Sequence, residues 1–179
     1  MKTYAALFRG INVGKTRSLP MKELVQIIES LGCVNVKTYI QSGNVVFQFQ
    51  REDKSLAGRI SSEVNKKRGF EPQVLLLKAD DIQKAMMANP FPEAESEPNT
   101  LHLGFLASKP ANPDLEKIES LKTKSERFVL KGSVFYLHAP DGIGRSKLAA
   151  SAEKLLGVPM TDRNWRTVCK INDMLNELK

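Results

Sequence analysis

Four short segments combine glycine, amide and cationic residues in patterns that suit an oxyanion. The first is Arg9-Gly10-Ile11-Asn12-Val13-Gly14-Lys15-Thr16-Arg17, and the second is Gln41-Ser42-Gly43-Asn44. Glycine-containing turns can aim backbone N–H groups at an anion, and lysine or arginine beside them adds charge. The first segment superficially resembles a nucleoside-triphosphate loop. That loop needs four residues between its glycines, and Gly10 and Gly14 have three between them. The helix that follows also starts only near Leu19. A triphosphatase loop is therefore excluded, while simpler anion binding through Lys15 and backbone amides stays open.

The third segment is Asp141-Gly142-Ile143-Gly144-Arg145-Ser146-Lys147. Two glycines lead into a helix start, Ser146 can cap it, and Arg145 and Lys147 flank its positive end. An ordinary hairpin-to-helix connection would read the same way. The fourth is Asp162-Arg163-Asn164-Trp165-Arg166, where Trp165 either stacks a base beside Arg163 or Arg166, or anchors a core. The anion-binding candidates are thus Arg9, Asn12, Lys15, Gln41, Ser42, Asn44, Arg145, Ser146, Lys147, Arg163, Asn164 and Trp165.

Catalytic chemistry is poorly represented. His102 and His138 fall in or near strands, and neither neighbours a Ser or Cys in a nucleophile motif. Asp80 and Asp81 are adjacent, so they cannot share a helical face, and they fit a helix start better. Cys33 and Cys169 have no metal-ligand spacing to either histidine. No metal site and no cofactor is called for.

The elements that must position these residues follow a recognisable order. Tyr4 to Arg9 has strand character. Met21, Leu24, Ile27 or Ile28, and Leu31 recur at helical spacing, with Pro20 in the first turn and Gly32 as the stop. Val36 to Ile40 and Val45 to Phe49 flank the turn at 41–44 as a hairpin. Leu56, Ile60 and Val64 mark a second helix ended by Gly69, and Val74 to Leu77 is a fourth strand. This β-α-β-β-α-β order is the ferredoxin-like pattern. In that pattern the third strand lies antiparallel beside the first. The loop carrying Arg9, Asn12, Lys15 and Arg17 should then meet the hairpin 41–44 on one polar rim.

A short helix around Ile82 to Met86 follows. The Pro- and Glu-rich stretch 92–99 reads as an acidic linker. Beyond it the pattern partly repeats: a strand at Leu101 to Phe105, a helix around Leu115 to Leu121, a hairpin at 128–137 and a helix from about Ser146 to Leu156. No last strand is evident. A C-terminal helix shows Trp165, Val168, Ile171 and Leu175 on one face. The expectation is an α+β chain with a ferredoxin-like lobe over 1–91, the linker 92–99, and a divergent βαββα lobe with a C-terminal helix over 100–179.

Bulk properties agree with a globular protein. Of the 179 residues, 41% are hydrophobic and 26% charged. Aromatics are only 7%, too few for a broad stacking platform. No apolar run approaches ~20 residues, so no membrane span is expected. The N-terminus lacks signal-peptide features. Two unpaired thiols fit a reducing cytoplasm. The net charge of +7 is uneven: 1–90 carries +6, 91–121 carries −4 and 122–179 carries +5. Basic charge steers phosphate-bearing partners, and it also solvates a surface.

Together these segments resemble domain-of-unknown-function family 1697. The resemblance rests on Arg9-Gly10-Ile11-Asn12-Val13-Gly14, on Thr38-Tyr39-Ile40-Gln41-Ser42-Gly43-Asn44-Val45-Val46-Phe47 and on Ala88-Asn89-Pro90-Phe91-Pro92. Towards the C-terminus it rests on Asp141 to Leu148, Leu156-Gly157-Val158-Pro159 and Arg163-Asn164-Trp165. Members often carry a second glycine where Lys15 stands. The resemblance implies a compact bacterial-type protein of two α+β subdomains, and no activity.

Two specific functions are compatible with these observations, beside the blander one of a protein-interaction module. One is a binding module for nucleic acid or a nucleotide-like anion through the basic glycine turns. The other is a small-molecule enzyme acting on a phosphorylated or carboxylated substrate in a cleft between lobes, with Arg9, Asn12, Gln41, Asn44, Arg145 and Lys147 as its polar set.

Overall fold

A computed structural model describes all residues 1–179. The first half forms β1 (Lys2–Arg9), α1 (Met21–Ser30), β2 (Val34–Tyr39), β3 (Asn44–Phe49), α2 (Leu56–Arg68) and β4 (Gln73–Lys78), followed by α3 (Ala79–Met87). The sheet order is β2-β3-β1-β4, and β1 pairs antiparallel with both β3 and β4. This is the ferredoxin-like arrangement. β1 is central, so its sequence is a continuous apolar run rather than an alternation. Tyr4, Ala6 and Phe8 join the core under α1 and α2 with Leu24, Ile27, Ile28, Phe47, Ile60 and Val64. Ala5 and Leu7, on the opposite face of β1, are fully buried too.

The second half forms β5 (Leu101–Leu106), α4 (Leu115–Leu121), β6 (Arg127–Lys131), β7 (Val134–His138), α5 (Lys147–Leu156), β8 (Met160–Asn164) and α6 (Trp165–Asn176). Its sheet order, β6-β7-β5-β8, matches the first sheet position for position. A last strand was not expected here, and β8 supplies it. The sequence Met-Thr-Asp-Arg-Asn hides it because β8 is an edge strand and carries one buried position, Thr161. Gly104 of β5 makes room for the Met160 side chain, whose Sδ and Cγ a Cβ there would crowd.

The chain divides into two compact units, residues 1–84 with 170–179, and residues 85–169. The boundaries fall inside α3 and α6. The acidic stretch expected to be a linker is instead part of the second unit. Pro92–Ser96 makes a 3-10 turn, and Phe91 and Ala94 are buried. Glycine-poor and anchored by two apolar side chains, it only mimics a linker in composition. No helix is long and apolar enough to cross a membrane.

A candidate anion-binding rim

Asn12 organises one end of the first sheet. Its Nδ2 donates to Leu19 O at 2.9 Å and to Gln41 O at 2.9 Å, and its Oδ1 accepts from Leu19 N at 2.7 Å. Its backbone N–H donates to Arg17 O at 3.0 Å, closing a loop over 12–17. The backbone at Asn12 is left-handed, with φ +53°, a region asparagine tolerates better than most residues. One side chain therefore closes its own loop and ties it to the hairpin. A second tie is backbone only: Phe8 N donates to Gly43 O at 2.8 Å. The convergence expected from topology is present.

The hairpin turn is built equally tightly. Asn44 is buried, and its Nδ2 donates to Tyr39 O at 3.2 Å and to Ser42 Oγ at 3.0 Å. Gly43 has φ +81°, and a Cβ there would sit 2.5 Å from Phe8 Cβ. Asn12 and Asn44 are thus structural staples, and Ser42 supports the turn. Gln41 holds Asn12 through its main-chain oxygen, which leaves its side chain exposed on the rim.

The cations lie outside these staples. Arg9, Lys15 and Arg17 are exposed. Arg9 Nη1 donates to Gln73 Oε1 at 3.3 Å. The Arg17 guanidinium carbon lies 5.9 Å from the centroid of the Phe70 ring, a cation–π arrangement, and Nη1 lies 3.3 Å from the Cβ position of Gly10. Lys15 has no partner in the chain.

Sequence reasoning missed a third loop of this rim, residues 69–72. Arg9 pairs in register with Gln73, so the start of β4 meets the end of β1 at the rim. The topology already implied this. The basic run Lys66-Lys67-Arg68 before Gly69 was the available signal. Arg68 binds Glu23 with both nitrogens of its fork, and that hydrogen bond holds the Glu23 carboxyl below its ordinary value. This pair staples α2 to α1. Lys67 stays exposed, as does Lys22 in the first turn of α1.

The remaining candidates lie in the second unit. Ser146 is buried and caps α5 by accepting from Ala149 N at 3.0 Å. The turn before it spends three of its donors internally: Gly142 N binds Ala139 O, Arg145 N binds Gly142 O, and Ser146 N binds Ile143 O, which leaves the N–H groups of Ile143 and Gly144 without an acceptor. Arg145 and Lys147 remain as exposed cations beside this turn. Trp165 is 6% exposed and belongs to the core. Asn164 Oδ1 caps α6 by accepting from Thr167 N at 3.0 Å. Arg163 is half-buried, and its desolvation pulls the guanidinium down to about 10 against the opposing pull of Asp162.

The histidines are also accounted for. His102 is buried, with Nδ1 2.8 Å from Asp162 Oδ2 and Nε2 3.1 Å from Asn99 O, so neither nitrogen faces an open site. Burial pushes the Cys33 thiol up to about 11, which leaves it unreactive. No group of three His, Cys, Asp or Glu residues is placed to hold a metal ion.

A family model described as a protein of unknown function, DUF1697, matches residues 1–136. The chain belongs to the DUF1697 family. No protein of curated function matches the sequence. A solved structure of a conserved bacterial protein, SP0830 from Streptococcus pneumoniae, is similar, with TM-score 0.71 and 26% identity over 97% of this chain and 98% of that one. The DUF1697 match contains the whole rim, from Arg9 to Gln73. It ends before the segments around Arg145 and Arg163.

Proposed function

We propose that the rim of the first unit binds a phosphate-bearing ligand, a nucleic acid or a nucleotide. The observation that carries this reading is the grouping of Arg9, Lys15 and Arg17 along one loop that the Asn12 side chain staples to the hairpin, neither of which contains a carboxylate; Glu71 is the acid of the third loop. The charge distribution supports it. The first unit holds sixteen Lys and Arg against ten Asp and Glu, a net +6, and the second holds eleven against ten, a net +1.

The mode of binding differs from that of sheet-surface RNA modules, which stack bases on exposed aromatics of the central strands. In β3 here, Val45, Val46, Phe47 and Phe49 are all buried. The sheet face offers no stacking platform. Recognition therefore falls to charge and backbone donors on the loops.

The test is binding of fluorescent single-stranded RNA, single-stranded DNA and a labelled mononucleotide at two salt concentrations. The wild type and an Arg9→Ala, Lys15→Ala, Arg17→Ala variant are compared. Polymer binding should weaken with salt. The variant should flatten that dependence by about 0.7 in log–log slope for each lost phosphate contact. Unchanged affinity in a folded triple variant, or no binding of any probe by the wild type, would reject this reading. The pair Arg145→Ala with Lys147→Ala, which removes two charges from the second unit, serves as the comparison outside the rim, set against the double variant Lys15→Ala with Arg17→Ala.

A further inference from the structure

We infer that the loop over residues 10–16 is a backbone nest for a phosphomonoester group, with Lys15 and Arg17 as its counter-charges. This deepens the anion-binding reading and rests on it. Gly10, Asn12 and Gly14 have φ of +74°, +53° and +65°, while Ile11 and Val13 between them do not have positive φ. Left-handed residues at alternate positions are one half of the nest pattern, in which successive N–H groups turn toward a concave side that can hold an anion. The N–H groups of Val13, Gly14 and Lys15 have no acceptor within the chain, while Gly14 and Lys15 form the turn that Thr16 closes. The loop is nevertheless fixed at both ends, by Asn12 N to Arg17 O and by the Asn12 side chain to Leu19 and Gln41. It is a braced loop with a run of unused donors at its tip.

Two cations accompany these donors. Lys15 lies within the run, and the Arg17 guanidinium folds back against Gly10. A phosphomonoester carries nearly two negative charges near neutral pH and presents three terminal oxygens. A phosphodiester carries one charge, and both of its ester links need an exit path. Two cations on the same loop and a run of N–H groups without acceptors match the monoester. The source is either a mononucleotide or the phosphorylated end of a nucleic acid strand.

The test uses the full ¹⁵N-labelled chain, titrated with AMP, cyclic AMP, adenosine and inorganic phosphate. AMP and cyclic AMP share base and sugar and differ as monoester and diester. AMP should shift the amides of residues 13–15 and bind roughly fivefold tighter than cyclic AMP, the effect of one further charge beside Lys15. Adenosine should leave those amides unmoved. A 5′-phosphorylated oligonucleotide compared with its 5′-hydroxyl form separates a strand end from a free nucleotide.

Gly14→Val changes no charge but places a β-branched residue at positive φ. It should weaken AMP binding about tenfold, whereas Gly14→Asn, which tolerates that conformation, should not. A Cβ at Gly14 meets nothing within 4 Å, so both variants should fold. Equal affinity for AMP and cyclic AMP, or indifference to Gly14→Val, would overturn the nest. If polymers still bind through Arg9, Lys15 and Arg17, the nest alone fails. If no anion binds at all, the anion-binding reading fails with it.

Discussion

The side-chain amide of Asn12 donates to the main-chain oxygen of Gln41 at 2.9 Å, joining two loops 29 residues apart in sequence. The same side chain makes two more bonds, both to Leu19. Asn12→Ala removes all three and leaves an alanine at positive φ. It should destabilise the protein by about 2–4 kcal/mol. Asn12→Asp keeps the bond from Leu19 N but sets a carboxylate against two carbonyl oxygens, so it should cost at least as much. Urea unfolding of both variants checks this. An Asp variant close to wild type would mean that the two donated bonds carry little.

Two glycines with crowded Cβ positions should behave differently. At Gly43 a Cβ would meet Phe8 Cβ at 2.5 Å and Ile11 Cδ1 at 2.8 Å, and the residue also has φ +81°. Phe8 Cβ is fixed by its strand. At Gly104 the close atoms belong to Met160, a flexible side chain, and φ is not positive. Gly43→Ala should lose about 3 kcal/mol or more, and Gly104→Ala clearly less. Thermal unfolding of the two variants gives the order directly.

Much of the fold could be read from the sequence because the central strands are apolar throughout and the helices have clean periodicity and glycine stops. The ferredoxin-like order then dictated that the Asn12 loop meets the Gln41 hairpin. The same logic extends to the third loop, yet Phe70 and Gln73 were missed because an isolated Phe and Gln carry no local signal. β8 escaped because a polar edge strand does not alternate. The second unit shows how little of the rim is dictated by architecture. Leu106 N donates to Ser133 O at 2.9 Å, the counterpart of Phe8 N to Gly43 O. Where the first unit has Arg9 and Asn12, however, the matching positions hold Ala107 and Pro110. The fold is shared, and the cationic loop belongs to one copy. Residue type alone also cannot separate a stacking tryptophan from a core one, and Trp165 is decided by burial.

Stability should depend on pH through His138. Burial and the adjacent Arg127 lower its imidazole below the ordinary 6.5, against the opposing pull of Glu93 and Glu97. Arg127 Nη2 lies 3.0 Å from His138 Nδ1, so the neutral ring accepts the bond. A histidine with a folded value below its unfolded one favours the native state above the unfolded value. That contribution declines as pH falls through about 6.5 toward the folded value. Urea midpoints at about pH 7.5 and 5.5 should differ more in the wild type than in His138→Gln. An equal difference in both would remove His138 as the cause.

Strain at the rim makes the opposite kind of prediction, a substitution that stabilises. Three of the four non-glycine residues with positive φ, Asn12, Arg17 and Ile40, lie on these two loops. Ile40 is the most unusual, since it is β-branched, has φ +48° and is 52% exposed. A left-handed conformation costs an ordinary residue about 1–2 kcal/mol, and little apolar burial offsets that at an exposed turn. Ile40→Asn should therefore raise stability by about 0.5–1 kcal/mol, since asparagine adopts this conformation more readily. Guanidinium unfolding measures the change. If stability rises while the affinity for AMP falls, Ile40 is held at this turn for its exposed apolar surface. If stability does not rise, packing of the Ile40 side chain already compensates the backbone, and the hairpin tip is simply a well-formed turn.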